Sequence, residues 1–122
     1  MLTSNQSQQL MNIPRNIDPD DAADLNLTVI DVREPQELVG ALGAIDGAIN
    51  VPLKRLGAEG LPESIAKDAP LLIACRSGSR SSHAAMFLAS KGYSSVLNLA
   101  GGMIAWNRSG LPVASQNQMA SA

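Results

Sequence analysis

The chain has 122 residues, a formal net charge of −2, 45% hydrophobic residues, one cysteine and one histidine, which suits one domain with a substantial core and is too short for two. No cluster of Lys and Arg lies outside one short loop and no apolar run is long enough to span a bilayer, so neither nucleic acid nor a membrane is expected as a partner. A lone cysteine forms no internal disulfide, and with a single histidine it makes no zinc site of the usual spacing, so no metal is expected.

In chain order, residues 1–10 are mostly Ser, Asn and Gln and read as a disordered tail; the folded domain is expected over 11–113, and 114–122 as a second tail. The start is polar and its first basic residue is Arg15, which is no secretory leader pattern, so a cytoplasmic location that keeps the thiol reduced is expected. Asp18-Pro19-Asp20-Asp21 reads as a helix start, with Asp18 capping and acidic residues near the positive dipole end. The β-branched run Leu27–Val32 predicts a strand buried on both faces, and Arg33–Glu37 then turns into a short helix. Ala48–Val51, closed by Pro52, is a further strand; Leu61–Ala66 is expected to be helical; Leu71–Ala74 is the central strand. Ser82–Lys91 is a helix, apolar nearly all round from His83 to Ala89 and so packed tightly on the sheet, and Ser94–Leu99 is the last strand. Strands alternating with helices predict an α/β fold, a parallel sheet with helices on both faces and a ligand site at the carboxyl ends of the strands, where Asp31 and Cys75 both fall.

Cys75 begins the loop Cys75-Arg76-Ser77-Gly78-Ser79-Arg80-Ser81, between the central strand and a helix start. Small residues let successive backbone N–H groups turn toward one centre, and the helix adds its unpaired N–H groups and positive dipole end. Such surroundings, with arginine nearby, lower a thiol pKa from about 8.5 to roughly 3.5–7.5, so Cys75 is expected to be a thiolate. Gly78 permits the turn, Ser77, Ser79 and Ser81 leave the centre open and can donate hydrogen bonds, and Arg76 and Arg80 suit sulfur or phosphorus oxyanions.

This loop, the string Asp31-Val32-Arg33-Glu34, the turn Gly47–Pro52, and Gly101-Gly102-Met103-Ile104-Ala105-Trp106 followed by Gly110–Val113 together resemble the single-domain rhodaneses. The resemblance implies a five-stranded parallel sheet flanked by helices and a thiosulfate:cyanide-type sulfurtransferase with Cys75 as nucleophile and sulfur carrier. It further implies that Arg76–Arg80 form the cradle of the persulfide, that Arg76 or Arg80 receives the oxyanion end of the donor, and that Asp31 and Arg33 support the loop. Two departures concern the pocket rim: Ala44 stands where the family usually has histidine, and Glu37–Gly43 is longer than usual.

The implied chemistry is covalent catalysis in two steps, with no organic cofactor: sulfur passes from thiosulfate to Cys75 and then to cyanide or a thiol. A sulfur relay between proteins would use the same loop, with a protein persulfide as donor. A phosphatase or arsenate reductase is the other enzyme reading. Phosphatase loops place five residues between cysteine and arginine, whereas four separate Cys75 from Arg80, a tighter cradle better matched to a single sulfur. His83, Met103 and Trp106 read as packing or surface residues, Glu34 equally as a partner of a loop arginine or a solvated turn residue, and Gly101-Gly102 lacks the further spacing of a dinucleotide fingerprint.

Overall fold

A computed structural model describes residues 13–114, and the expected N-terminal tail and residues 115–122 lie outside them. Of the expected C-terminal tail only Ala114 is described; it is buried and its N–H donates to the Ala44 carbonyl at 2.8 Å. Five strands, β1 (Arg15–Ile17), β2 (Thr28–Asp31), β3 (Ile49–Asn50), β4 (Leu71–Ala74) and β5 (Val96–Leu99), form one parallel sheet in the order β1-β5-β4-β2-β3. Among the described residues five helices connect or follow them: α1 (Pro19–Ala23), α2 (Pro35–Leu38), α3 (Leu53–Glu59), α4 (Ser79–Ser90) and α5 (Gly102–Arg108). Among the described residues no helix is long and apolar enough to cross a membrane.

The pleat of β4 divides the core between two layers, because successive side chains leave a strand on opposite faces. Leu71, Ile73 and Cys75 pack with Leu56 of α3 and with Ala84, Ala85 and Leu88 of α4. Leu72 and Ala74 pack on the other face with Ala22 of α1 and with Met103 and Trp106 of α5. All four residues of β4 are buried, as a central parallel strand covered by helices on both sides requires. From β2 the chain goes outward to β3, yet β4 pairs with the opposite edge of β2. The carboxyl ends of β2 and β4 therefore border the topological switch point, the usual ligand crevice of such sheets.

The structure corrects several local expectations. Leu61–Ala66 is not a helix; it runs through turns closed by Ile65 N–H to Pro62 O and Ala69 N–H to Ala66 O, both at 3.1 Å. Six residues that include Pro62 cannot offset the cost of helix nucleation. The helix lies earlier, where Pro52 precedes Leu53 and Leu56 at core spacing, an Arg55–Glu59 pair one turn apart adds support, and Gly60 at φ +75° ends it. The edge strand β1 has only Ile17 partly buried and a polar centre at Asn16, which gives no strand-like alternation. Helix α4 starts at Ser79, three residues early, and is one-sided: Ala84, Ala85 and Leu88 face the sheet while His83 is exposed and Met86 is 57% exposed. An outer-layer helix buries only the stripe that meets the sheet. The strand after Asn26 is fully buried only at Ile30 and Asp31, because its first half lies toward the open amino end.

Candidate active site

Strand β4 delivers Cys75 to the switch point. Val32 N–H donates to Ala74 O at 2.9 Å, tying β2 to β4 one residue before the cysteine. The chain then reverses through Gly78, whose φ of +102° lies in the left-handed region that favours glycine. That reversal aims the Gly78 N–H at the Cys75 Sγ, 3.1 Å away, and the Ser81 Oγ, in the first turn of α4, donates to the same sulfur at 3.2 Å. Cys75 and Ser81 are both buried.

Burial pushes the Cys75 thiol up, yet the Ser81 hydroxyl together with the amides of Ser81, Gly78 and Ser77 outweighs it and holds the thiol below its ordinary value. Fixed donors at hydrogen-bond distance favour the charged form of the group they surround. The donors that surround Sγ thus come from Ser77, Gly78 and Ser81. The side chains of Arg76, Ser77 and Ser79 are exposed at the rim of the loop.

The back of the loop is clamped by α5. Met103 N–H donates to Cys75 O at 2.8 Å and Ile104 N–H to Arg76 O at 3.0 Å. So close an approach requires glycine at 102, where φ is +61° and an added Cβ would stand 2.5 Å from Arg76 O and 2.6 Å from Cys75 O. Gly101-Gly102 thus serves backbone contact, and Met103 and Trp106 are core residues. Asn98 of β5 supports the loop from below: its Nδ2 donates to Asn16 Oδ1 at 2.9 Å and to Gly78 O at 3.4 Å. Its own Oδ1 is buried and has no hydrogen-bond partner among the described residues.

Arg80 is committed elsewhere than the cradle. Its Nη1 and Nη2 donate to the two carboxylate oxygens of Glu37 at 2.8 and 2.9 Å. Arg80 holds Glu37 down at about 2 against burial, helped by the Glu34 N–H and the charge of Arg33, and Glu37 in turn raises Arg80. Glu37, not Glu34, is the partner of a loop arginine. Glu34 is the exposed N-cap of α2, and its N–H donates to Glu37 Oε2 at 2.8 Å in a capping box.

Asp31 and Arg33 form a buried ion pair, each 1% exposed, with Nη2 to Oδ2 at 2.8 Å and Nε to Oδ1 at 3.0 Å. The guanidinium then donates to Gly43 O at 2.7 Å and Glu37 O at 3.3 Å, so its direct contacts are with the 37–43 rim. A chain of hydrogen bonds through Glu37 links it to Arg80 of the cysteine loop. Arg33, Glu37, Gly40, Ala41, Leu42 and Arg76 line a cavity of about 290 Å³ beside the loop. A larger cavity, about 600 Å³, lies at the far end of α4 beside Phe87, Leu88 and Lys91, and no residue of the smaller cavity lines it. His83 is exposed, and the hydrogen bonds to the thiol come from Gly78 and Ser81 instead.

The sequence readings missed Glu37 and Asn98. Glu37 sits three residues after Glu34, a capping-box spacing that marks a helix start but carries no sign of a partner 43 residues away. A polar Asn98 inside an otherwise apolar strand was the available signal for the second.

The family model for the rhodanese-like domain matches residues 16–109. The chain is 41% identical over 88 residues to a sulfurtransferase of Allochromatium vinosum, covering 72% of this chain and 78% of that one. It is 36% identical over 98 residues to the thiosulfate sulfurtransferase GlpE of Ectopseudomonas mendocina, covering 75% and 84%. The crystal structure of a rhodanese-related protein from Thermoplasma volcanium superposes with a TM-score of 0.74 at 32% identity, over 82% of this chain and 97% of that one.

Proposed function

Because this chain belongs to the rhodanese-like sulfurtransferase family, we propose that it moves a sulfane sulfur from thiosulfate or a protein persulfide to cyanide or a thiol acceptor through a persulfide on Cys75, in the cytoplasm. The observation that supports this most is a buried Sγ receiving hydrogen bonds from Gly78 N–H and Ser81 Oγ, its thiol held below the ordinary value.

In the first step the Cys75 thiolate attacks the outer sulfur of thiosulfate. A new S–S bond forms, the donor S–S bond breaks, and sulfite leaves with the bonding pair. The terminal sulfur of the persulfide then carries the negative charge, which the N–H groups of the cradle stabilise as fixed dipoles do in an oxyanion hole. In the second step cyanide attacks that terminal sulfur, thiocyanate departs, and the Cys75 thiolate returns. No proton need move, since the thiol enters ionised. On this reading Arg76, at the exposed rim, meets the sulfonate end of the donor, Ser77, Gly78, Ser79 and Ser81 shape the cradle, and Asp31 and Arg33 brace the rim.

Intact-mass measurement after incubation with thiosulfate and then cyanide tests the reading. Gain of one sulfur atom on wild type, its loss with release of thiocyanate, and neither event in a folded Cys75→Ser variant are expected. No uptake from thiosulfate but uptake from a protein persulfide would make the domain a relay. No uptake from either, with hydrolysis of a phosphate ester, would replace the proposal by the phosphatase reading.

A further inference from the structure

We infer that Glu37 is a specificity-determining residue: by holding Arg80 in a two-pronged ion pair beside the loop, it cancels one of the two arginine charges near Cys75 and turns the site from doubly charged donors such as thiosulfate toward singly charged sulfane donors such as a thiol persulfide. The inference rests on the sulfurtransferase reading of the same site.

Three observations carry it. The carboxylate is anchored at both oxygens by Arg80, at 2.8 and 2.9 Å, and a second bond from Glu34 N–H reaches Oε2. Its backbone is anchored as well, since the buried Arg33 donates to Glu37 O. Glu37 also shares the 290 Å³ cavity beside the loop with Arg76, the arginine at the exposed rim. It is therefore a fixed negative charge facing the approach. The two loop arginines, the Glu37 carboxylate and the Cys75 thiolate sum to no net charge, where without Glu37 the sum would be +1. Arg80 still acts on Cys75, whose charge contributes to raising it, so the compensation takes effect within reach of the reacting sulfur.

A dianion feels twice the potential that a monoanion feels at the same place. Steady-state kinetics of the full chain at low salt, with thiosulfate and with the monoanionic toluenethiosulfonate, therefore separate charge from shape. Glu37→Gln is expected to lower KM for thiosulfate by about threefold, and KM for the thiosulfonate by roughly the square root of that factor, with both effects fading as salt is added. Arg80→Gln is expected to move both values the other way, and the double variant to fall between the singles. A merely structural role would raise KM in both single variants, irrespective of donor charge and salt. A thiosulfate KM in Glu37→Gln that is unchanged or raised overturns the inference. If that variant does not fold, wild type decides: a ratio of the two KM values that stays flat with salt supports local cancellation, and a thiosulfate KM that climbs steeply relative to the other overturns it. Failure of wild type to take sulfur from either donor would instead refute the sulfurtransferase reading beneath it.

Discussion

Ser81→Ala tests whether the cradle, and not the arginines, ionises the thiol. The substitution removes one donor, the hydroxyl at 3.2 Å from Sγ, and Ser81 is 0% exposed, so solvent does not readily replace it. Hydrogen bonds to charged groups contribute about 1.5–3 kcal/mol, and each factor of ten in ionisation corresponds to about 1.36 kcal/mol. At a pH below its midpoint, the variant should hold roughly ten- to a hundredfold less thiolate than wild type. Since Cys75 is the sole cysteine, the pH dependence of alkylation by iodoacetamide, followed by mass, reports it directly. The limb should move to higher pH in the variant, because a bond to the charged form lowers a pKa and its removal raises it. Linkage gives a second reading of the same quantity. A thiol depressed in the folded state adds stability that is complete above its ordinary value of 9.0 and is lost as pH falls through the folded value. Wild type should therefore gain more stability than Ser81→Ala as pH rises over that window. Alanine is well tolerated in a helix, so a folded variant is expected; superimposable alkylation profiles would refute the reasoning.

The Glu37–Arg80 pair gives an acid-side prediction. Glu37 is held at about 2 against 4.5, so its contribution is complete above 4.5 and lost as pH falls toward 2; with 27% and 37% of the two side chains exposed, solvent limits it to about 1 kcal/mol. Urea midpoints at both ends of this window should show that loss in wild type and not in Glu37→Gln, and equal losses would mean the pair adds nothing. Gly102→Ala places a Cβ 2.5 Å from Arg76 O at a positive φ and should destabilise by about 2 kcal/mol or more, lowering the melting temperature by roughly 8 °C or more; a melt within 2 °C or so of wild type would show that the clamp is loose. Arg33→Ala leaves Asp31 buried without its partner and strips the bonds to Glu37 O and Gly43 O, an expected loss of about 3–5 kcal/mol in chemical denaturation. A loss under about 1 kcal/mol would place water or another cation beside Asp31 in solution.

What the sequence made legible is local in the chain. The run Leu71–Ala74 followed at once by small polar residues and a helix start fixes a cysteine at the carboxyl end of a buried strand, and the structure puts the Gly78 and Ser81 donors there. The same reasoning misplaces Leu61–Ala66 because it weighed apolar content above the proline and above the superior core spacing of Leu53 and Leu56. Charge recognition between distant segments left no local trace. The chemistry of its guanidinium suits Arg80 to an oxyanion, yet the fold brings the Glu37 carboxylate to it across the β2–β4 crevice.

The two kinds of contact divide the labour of the site. The donors that hold the Cys75 thiol below its ordinary value against burial are backbone amides and one buried hydroxyl, groups that carry no net charge. Such donors stabilise a thiolate and the terminal sulfur of a persulfide alike, since each is a monoanion held at hydrogen-bond distance. On the proposed reading the arginines meet the rest of the donor, and one of them, Arg80, is paired with Glu37. On the proposed reading a change at the rim, at Glu37, alters which donor is used while the Gly78 and Ser81 donors stay in place around the thiol.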